Sequence, residues 1–147
     1  MSLDDPHPHP HSPFRLPLRV EPADVDAQGH ASNVSVLGWM NRAAIAHAES
    51  LGWDYAAFRD RGGGCFVVRR HELEYLAPAL PGERLVALTW PAALTRIGAE
   101  RRHEVRREAD GKLLARGWNL WVWVDLRGRP ARLPATVAEA FDPAKFC

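Results

Sequence analysis

A dense polar cluster, Asp24, Asp26, Gly29, His30, Ser32 and Asn33, stands immediately before an apolar segment that reads as a helix. That position matters because the first turn of a helix carries unpaired backbone N–H groups and a partial positive charge, which stabilise an oxyanion as a carbonyl is attacked. A carboxylate a few residues upstream can supply the nucleophile or the base. The same residues also have a purely structural reading. Asp24 and Asp26 are then turn carboxylates, Ser32 is an N-cap, Gly29 supplies a positive φ and His30 is a partly buried hydrogen-bonding residue.

The elements that must position this cluster follow from hydrophobic periodicity. Phe14, Leu16, Leu18 and Val20 alternate with Arg15, Pro17 and Arg19, which predicts a half-buried strand with its proline outward. Residues 21–32, rich in Asp, Gly and Pro, form a loop into a helix over about Val34 to Leu51. That helix is apolar nearly all round, with Arg42 and Glu49 as its only strong charges, so it is expected to be buried, with a small sheet as its wrapping. A shorter helix over Trp53 to Asp60 precedes Gly62-Gly63-Gly64. Strands are expected at Cys65–Leu76, Arg84–Ile97, Glu100–Glu108 and Leu113–Asp125, joined as consecutive antiparallel hairpins at Pro81-Gly82, Gly98 and Asp110-Gly111. Leu126–Leu133 reads as a loop, and Pro134 opens a short helix ending near Phe141. The class is α+β.

Composition narrows the functions. At 147 residues, with 46% hydrophobic and 25% charged, the chain is of single-domain size. A net charge of +1 gives no global field for nucleic acid or an anionic membrane, although 17 of the 19 basic residues are arginine. No run approaches the roughly 18 apolar residues of a membrane span, and the first residues lack a basic-then-apolar signal layout. Cys65 and Cys147 make neither a disulfide framework nor a paired metal motif, which points to a reducing compartment, the cytoplasm. Residues 1–13, with His7, His9 and His11 between prolines, are expected to be a disordered tail without a defined metal site. Residues 14–147 form the single domain.

The string Asp24-Val25-Asp26-Ala27-Gln28-Gly29-His30-Ala31-Ser32-Asn33 resembles the DxDxxGHxxN signature of the hotdog-fold acyl-CoA thioesterases, the family of 4-hydroxybenzoyl-CoA thioesterase. The resemblance extends through Trp39–Ala43, through Leu73-Glu74-Tyr75-Leu76-Ala77-Pro78-Ala79 with Pro81-Gly82-Glu83, and through residues 107–115 and 128–134. It implies a hotdog fold, a curved antiparallel sheet wrapped around a long central helix, with sites between the subunits of a homodimer or a dimer of dimers. It also implies hydrolysis of an acyl-CoA, with no metal or redox cofactor. Asp26 then takes the place of the catalytic carboxylate, as nucleophile or as general base. The backbone N–H near Asn33 polarises the thioester oxygen, and Gly29 and His30 shape the approach. The Asn33 side chain is equally readable as the helix cap. Val36 and Asn41 depart from the tyrosine and glutamate that many relatives carry, leaving Asp26 as the motif carboxylate placed for the work. An acyl carrier protein as thiol carrier, or a non-catalytic acyl-thioester binding module, remain the alternatives.

Other residues have two readings each. Glu100–Glu108 alternates Glu100, Arg102, Glu104, Arg106 and Glu108, which reads as a solvated face of cross-strand ion pairs or as a phosphate-binding strand for coenzyme A. Arg69, Arg70 and His71 share that ambiguity. Trp118, Trp121 and Trp123 fill the core or line an acyl tunnel. Cys65 reads as structural, since nothing in the sequence brings it to His30 or His71.

Overall fold

The computed structural model describes residues 2–146; Cys147, expected to be mobile, lies outside them. Five strands form one antiparallel sheet in the order β1-β3-β4-β5-β2. They are β1 (Phe14–Arg19), β2 (Gly64–Tyr75), β3 (Arg84–Thr95), β4 (Gly98–Arg107) and β5 (Leu113–Asp125). Helix α1 (Asn33–Ser50) follows β1; α2 (Tyr55–Ala57), prolonged by a wider turn over Phe58–Gly62, leads into β2; α3 (Ala135–Ala140) follows β5. The alternation in β1 does what it implies, with Pro17 on an edge strand. The second strand proline, Pro91, sits where β3 shifts register against β4 and beyond the last β1 pair, Phe14↔Thr89, so its missing N–H costs no ladder bond there.

The hairpins β3–β4 and β4–β5 are as expected, but β2 does not pair with β3. It crosses to the far edge and pairs with β5, from Gly64↔Asp125 to Tyr75↔Ala115. The eight-residue link over 76–83, carrying Pro78 and Pro81, is too long for a tight hairpin and is a crossing connection. Gly98 is expected as a turn residue, yet its φ is unremarkable. Glycine stands there for room, since a Cβ would be driven into the Trp121 carbonyl oxygen of the neighbouring strand.

Helix α1 buries Val36, Trp39, Met40, Ala43, Ala44, His47 and Ala48, the i, i+3, i+4, i+7 stripe of a one-sided helix. Its other side is open, with Ile45 51% and Val34 73% exposed, so the expectation of a helix covered all round is corrected. Two apolar clusters lie beneath it. Val36, Trp39, Met40, Leu85, Val105 and Leu114 pack under its first half, while Ala48 joins Trp53, Phe58, Trp123, Val137 and Phe141 beyond its end. Trp123 is thus core.

Between the clusters runs a buried polar band. Arg101 Nη1 donates to His47 Nδ1 at 3.0 Å and to Thr89 Oγ1 at 3.2 Å; Asn119 Nδ2 meets His103 Nε2 at 2.9 Å; Trp121 Nε1 donates to Asn119 Oδ1 at 2.7 Å. Burial, and secondly the Arg101 charge, pulls His47 down to about 3, and His103 to about 3 in the same order.

The outer face of the sheet is covered by residues 2–13, a correction to the disordered tail. Arg102 donates to the carbonyls of Ser2, Leu3 and Asp5 at 3.0–3.1 Å, and the Leu3 N–H donates to Glu72 at 2.8 Å. Leu3 is buried, and the rings of His7 and His9 stand 6.5 and 6.1 Å from Trp90. The cause is a half-apolar outer row, Leu88, Trp90 and Trp118, flanked by an arginine seeking acceptors.

Two outcomes are expected. His47 and His103 stay neutral in the fold while the unfolded chain takes up protons below about 6.5, so stability falls as the pH drops from about 6.5 towards 3. Between pH 6.5 and 5, above the carboxylate range, the loss is on the order of 2 kcal/mol per histidine. Urea midpoints across that window measure it, and His103→Asn should flatten the decline. Gly98→Ala should cost about 1–3 kcal/mol or more by the same assay.

Candidate active site

The loop after β1 is a small hairpin. Val25 and Ala31 bridge, the Asp26 N–H donates to the His30 carbonyl at 3.1 Å, and the Gly29 N–H donates back to the Asp26 carbonyl at 3.0 Å. Closing it places Gly29 at φ +85°, a conformation that an L side chain adopts only with strain. The two aspartates have different duties. Asp24 accepts from the Glu21 N–H at 2.9 Å and caps a short 3₁₀ turn, as its structural reading holds. Asp26 Oδ1 accepts from the Gln28 N–H at 2.9 Å, while Oδ2 makes no hydrogen bond among the described residues.

The cap of α1 is Ser32, whose Oγ accepts from the Ser35 N–H at 3.1 Å; Asn33 is the first helical residue, so its side chain is not the cap. The Val36 N–H reaches the Ser32 carbonyl, and the Asn33 and Val34 N–H groups are the unpaired donors of the first turn among the described residues. Tyr75, at the end of β2, donates its hydroxyl to the Asn33 carbonyl at 3.1 Å, and burial pushes that phenol's pKa up. The crossing connection closes the other side: the Ala31 N–H donates to the Ala79 carbonyl at 2.9 Å.

These segments enclose a cavity of about 710 Å³. Asp26, His30 and Asn33 line its polar side; Val36, Trp39, Val105 and Leu114 line its apolar side. Gly29 is not on the wall but in the turn that supports it. His30 is half-buried, its Nδ1 3.3 Å from the Ala31 carbonyl oxygen. Tyr75, Trp39 and the stretch Leu76–Ala79 stand in the sequence only as pieces of the family resemblance, without a role; in the structure they line the same cavity as Asp26.

Other candidates fall elsewhere. Arg101 and Arg102 are buried and engaged, Arg106 pairs with Glu104 at 3.0 Å, and Arg107 pairs with Asp110 and Glu83 at 3.0 and 3.4 Å. Each β4 arginine thus has partners within the protein, and a fully solvated ion-pair face does not describe the strand. Arg70 lies 3.5 Å from Glu72. Asn41 and Cys65 line a second cavity, away from Asp26 and His30. Among the described residues no three His, Cys, Asp or Glu side chains converge as a metal set, and no helix is long and apolar enough to cross a membrane.

Comparison with known proteins bears on the family and the fold. A thioesterase from Thermus thermophilus, solved with coenzyme A and zinc, is 31% identical and superposes with a TM-score of 0.73, covering 86% of this chain and 90% of its own. A 1,4-dihydroxy-2-naphthoyl-CoA thioesterase from Synechocystis shares the fold at 21% identity and TM-score 0.80, over 88% and 96% of the two chains. A probable thioesterase from Escherichia coli does so at 18% and 0.78, over 88% and 97%. A search of curated protein sequences finds no match. The family model of the thioesterase-like superfamily matches residues 20–141, most of the chain, and the protein belongs to that superfamily.

Proposed function

We propose that the protein is an acyl-CoA thioesterase of the hotdog type, hydrolysing an acyl thioester to free acid and thiol at the Asp26 cavity. One observation carries this reading: the Asp26 carboxylate and the N-terminus of α1 border the same apolar-walled cavity. The 31% identical relative, crystallised with coenzyme A, supports the carrier.

In this reading the thioester carbonyl oxygen lies towards the unpaired N–H groups at the start of α1, which stabilise the oxyanion as it forms. Asp26 acts in one of two ways. As nucleophile, its oxygen bonds to the carbonyl carbon, the C–S bond breaks, the thiolate takes a proton from solvent, and water then hydrolyses the mixed anhydride. As general base, it takes a proton from the water that attacks and returns it to the departing sulfur. Gly29 sets the turn that aims the carboxylate, and His30 and Asn33 shape the polar wall. The edge strand β2, with Val67 and Val68 partly exposed, supports self-association as a homodimer or a dimer of dimers.

Thiol release from aromatic, short and long acyl-CoAs tests this, with acyl carrier protein thioesters as the competing carrier. Asp26→Asn is expected to lower kcat/KM at least about 100-fold. Asp24→Asn, which keeps a capping side chain, should keep the rate. Full activity in Asp26→Asn removes the assignment, and saturable acyl-CoA binding without thiol release in the native protein leaves a binding module.

A further inference from the structure

A second cavity, of about 400 Å³, lies between the later turns of α1, the α2 turn and the inner face of the sheet, and shares no lining residue with the Asp26 cavity. Its volume lies within the roughly 300–1,000 Å³ of small-molecule sites. Trp53, Phe58, Phe66, Trp121 and Phe141 make its walls. The rings of Trp53 and Phe58 stack at 5.3 Å between centroids, and Phe58 and Phe141 stack at 6.2 Å, a surface suited to a flat ring.

Arg101 also lines this cavity and is 7% exposed. Its Nη1 is used by two neutral acceptors, His47 Nδ1 and Thr89 Oγ1, whereas Nε and Nη2 make no hydrogen bond among the described residues. No carboxylate of those residues pairs with it. Burial lowers its pKa only to about 9, so the group is a cation at neutral pH. A buried guanidinium with two idle donors is a planar fork that a carboxylate completes. Three acidic residues line the cavity: Glu49 and Asp54 are exposed, and the buried Glu100 accepts from the Trp118 indole at 3.0 Å; together they disfavour a multiply charged anion such as a nucleotide.

We infer that this cavity binds a small aromatic carboxylic acid as its anion, the ring against the Trp and Phe walls and the carboxylate on Arg101. The inference stands apart from the thioesterase reading, because it concerns binding of a free acid about 20 Å along α1 from the Asn33 end, at 1.5 Å per residue. The α1 residues on its wall, Asn41, Ala44, Ile45, Ala48 and Glu49, run from the middle of the helix to its last turn.

Tryptophan fluorescence and calorimetry with benzoate and 2-naphthoate test it, with benzamide and 2-naphthamide as neutral matches and hexanoate as the non-aromatic acid. The native protein should bind an aryl carboxylate saturably, with the amide and hexanoate each at least about tenfold weaker, the discrimination expected of one charged hydrogen-bonded pair and of ring stacking. Arg101→Met should abolish the preference for acid over amide. Should that variant fail to fold, Ile45→Trp decides: it fills the mouth at a half-exposed position, leaves Arg101 in place, and should abolish binding. Asp26→Asn should leave binding unchanged. An amide or hexanoate as tight as the aryl acid, binding that survives Ile45→Trp, or no binding of either acid to the native protein would overturn the inference.

Discussion

A cation enclosed between a helix and a sheet has to be given acceptors from both, and Arg101 imposes that requirement on this fold. Thr89 from β3 and His47 from α1 supply them, so the guanidinium ties helix to sheet at one depth and orientation. Because His47 must present a lone pair from Nδ1, it is held neutral, in the direction that burial also pushes it. The last turn of α1 adds a partial negative charge near the cation, which makes the unpaired guanidinium tolerable in the folded chain. The polar band also divides the interior. Aliphatic side chains with Trp39 gather on one side and aromatic rings on the other, and each side keeps a cavity of its own.

The second constraint is topological. Sending β2 to the far edge, next to β5, obliges residues 76–83 to cross the end of the sheet, and this crossing meets the loop after β1 at the Ala31–Ala79 hydrogen bond. The same link is clamped at its other end, where the Val20 and Glu83 backbones pair at 3.0 Å. The loop carrying Asp26 is therefore not a free surface loop. It is bonded to α1 through the Ser32 cap, to the crossing connection through Ala31, and internally through Gly29. Rigidity of that kind is what a carboxylate needs if its reactive oxygen is to keep a constant relation to a helix terminus.

Much of this was legible in the residues, and the exceptions have physical causes. Alternation in β1, the turn signal at Asp110-Gly111 and the polar cluster before α1 located the elements within one or two residues, and the structure lines one cavity with Asp26, His30 and Asn33. The partner of β2 was not legible, because Pro81-Gly82 marks a turn without saying how far the chain travels before pairing. Nor was the packing of residues 2–13. Prolines exclude a helix there, but they do not exclude an irregular strap whose carbonyls satisfy Arg102, and the arginine lies 97–100 residues away in sequence. The choice of Ser32 over Asn33 as cap was equally hidden, since both are good caps and only the entry angle of the chain decides.

The alternating charges of β4 show why such patterns mislead. Glu100, Arg102, Glu104 and Arg106 have the spacing of a solvated face, yet Glu100 accepts from the Trp118 indole at 3.0 Å and Arg102 holds the N-terminal strap. A long charged side chain covers apolar surface with its stem and reaches backbone carbonyls with its head. The sign of a residue therefore says less about its exposure than the supply of acceptors around it. By that measure Arg101 stands out because an aromatic cavity lies beside its unanswered donors. Arg102 differs within the same strand: three carbonyls of the chain itself answer its two Nη groups, leaving Nε without a partner among the described residues, whereas both acceptors of Arg101 sit on Nη1 alone. Two adjacent arginines on opposite faces of one strand thus do opposite things, one closing the protein upon itself and the other leaving a place for something else.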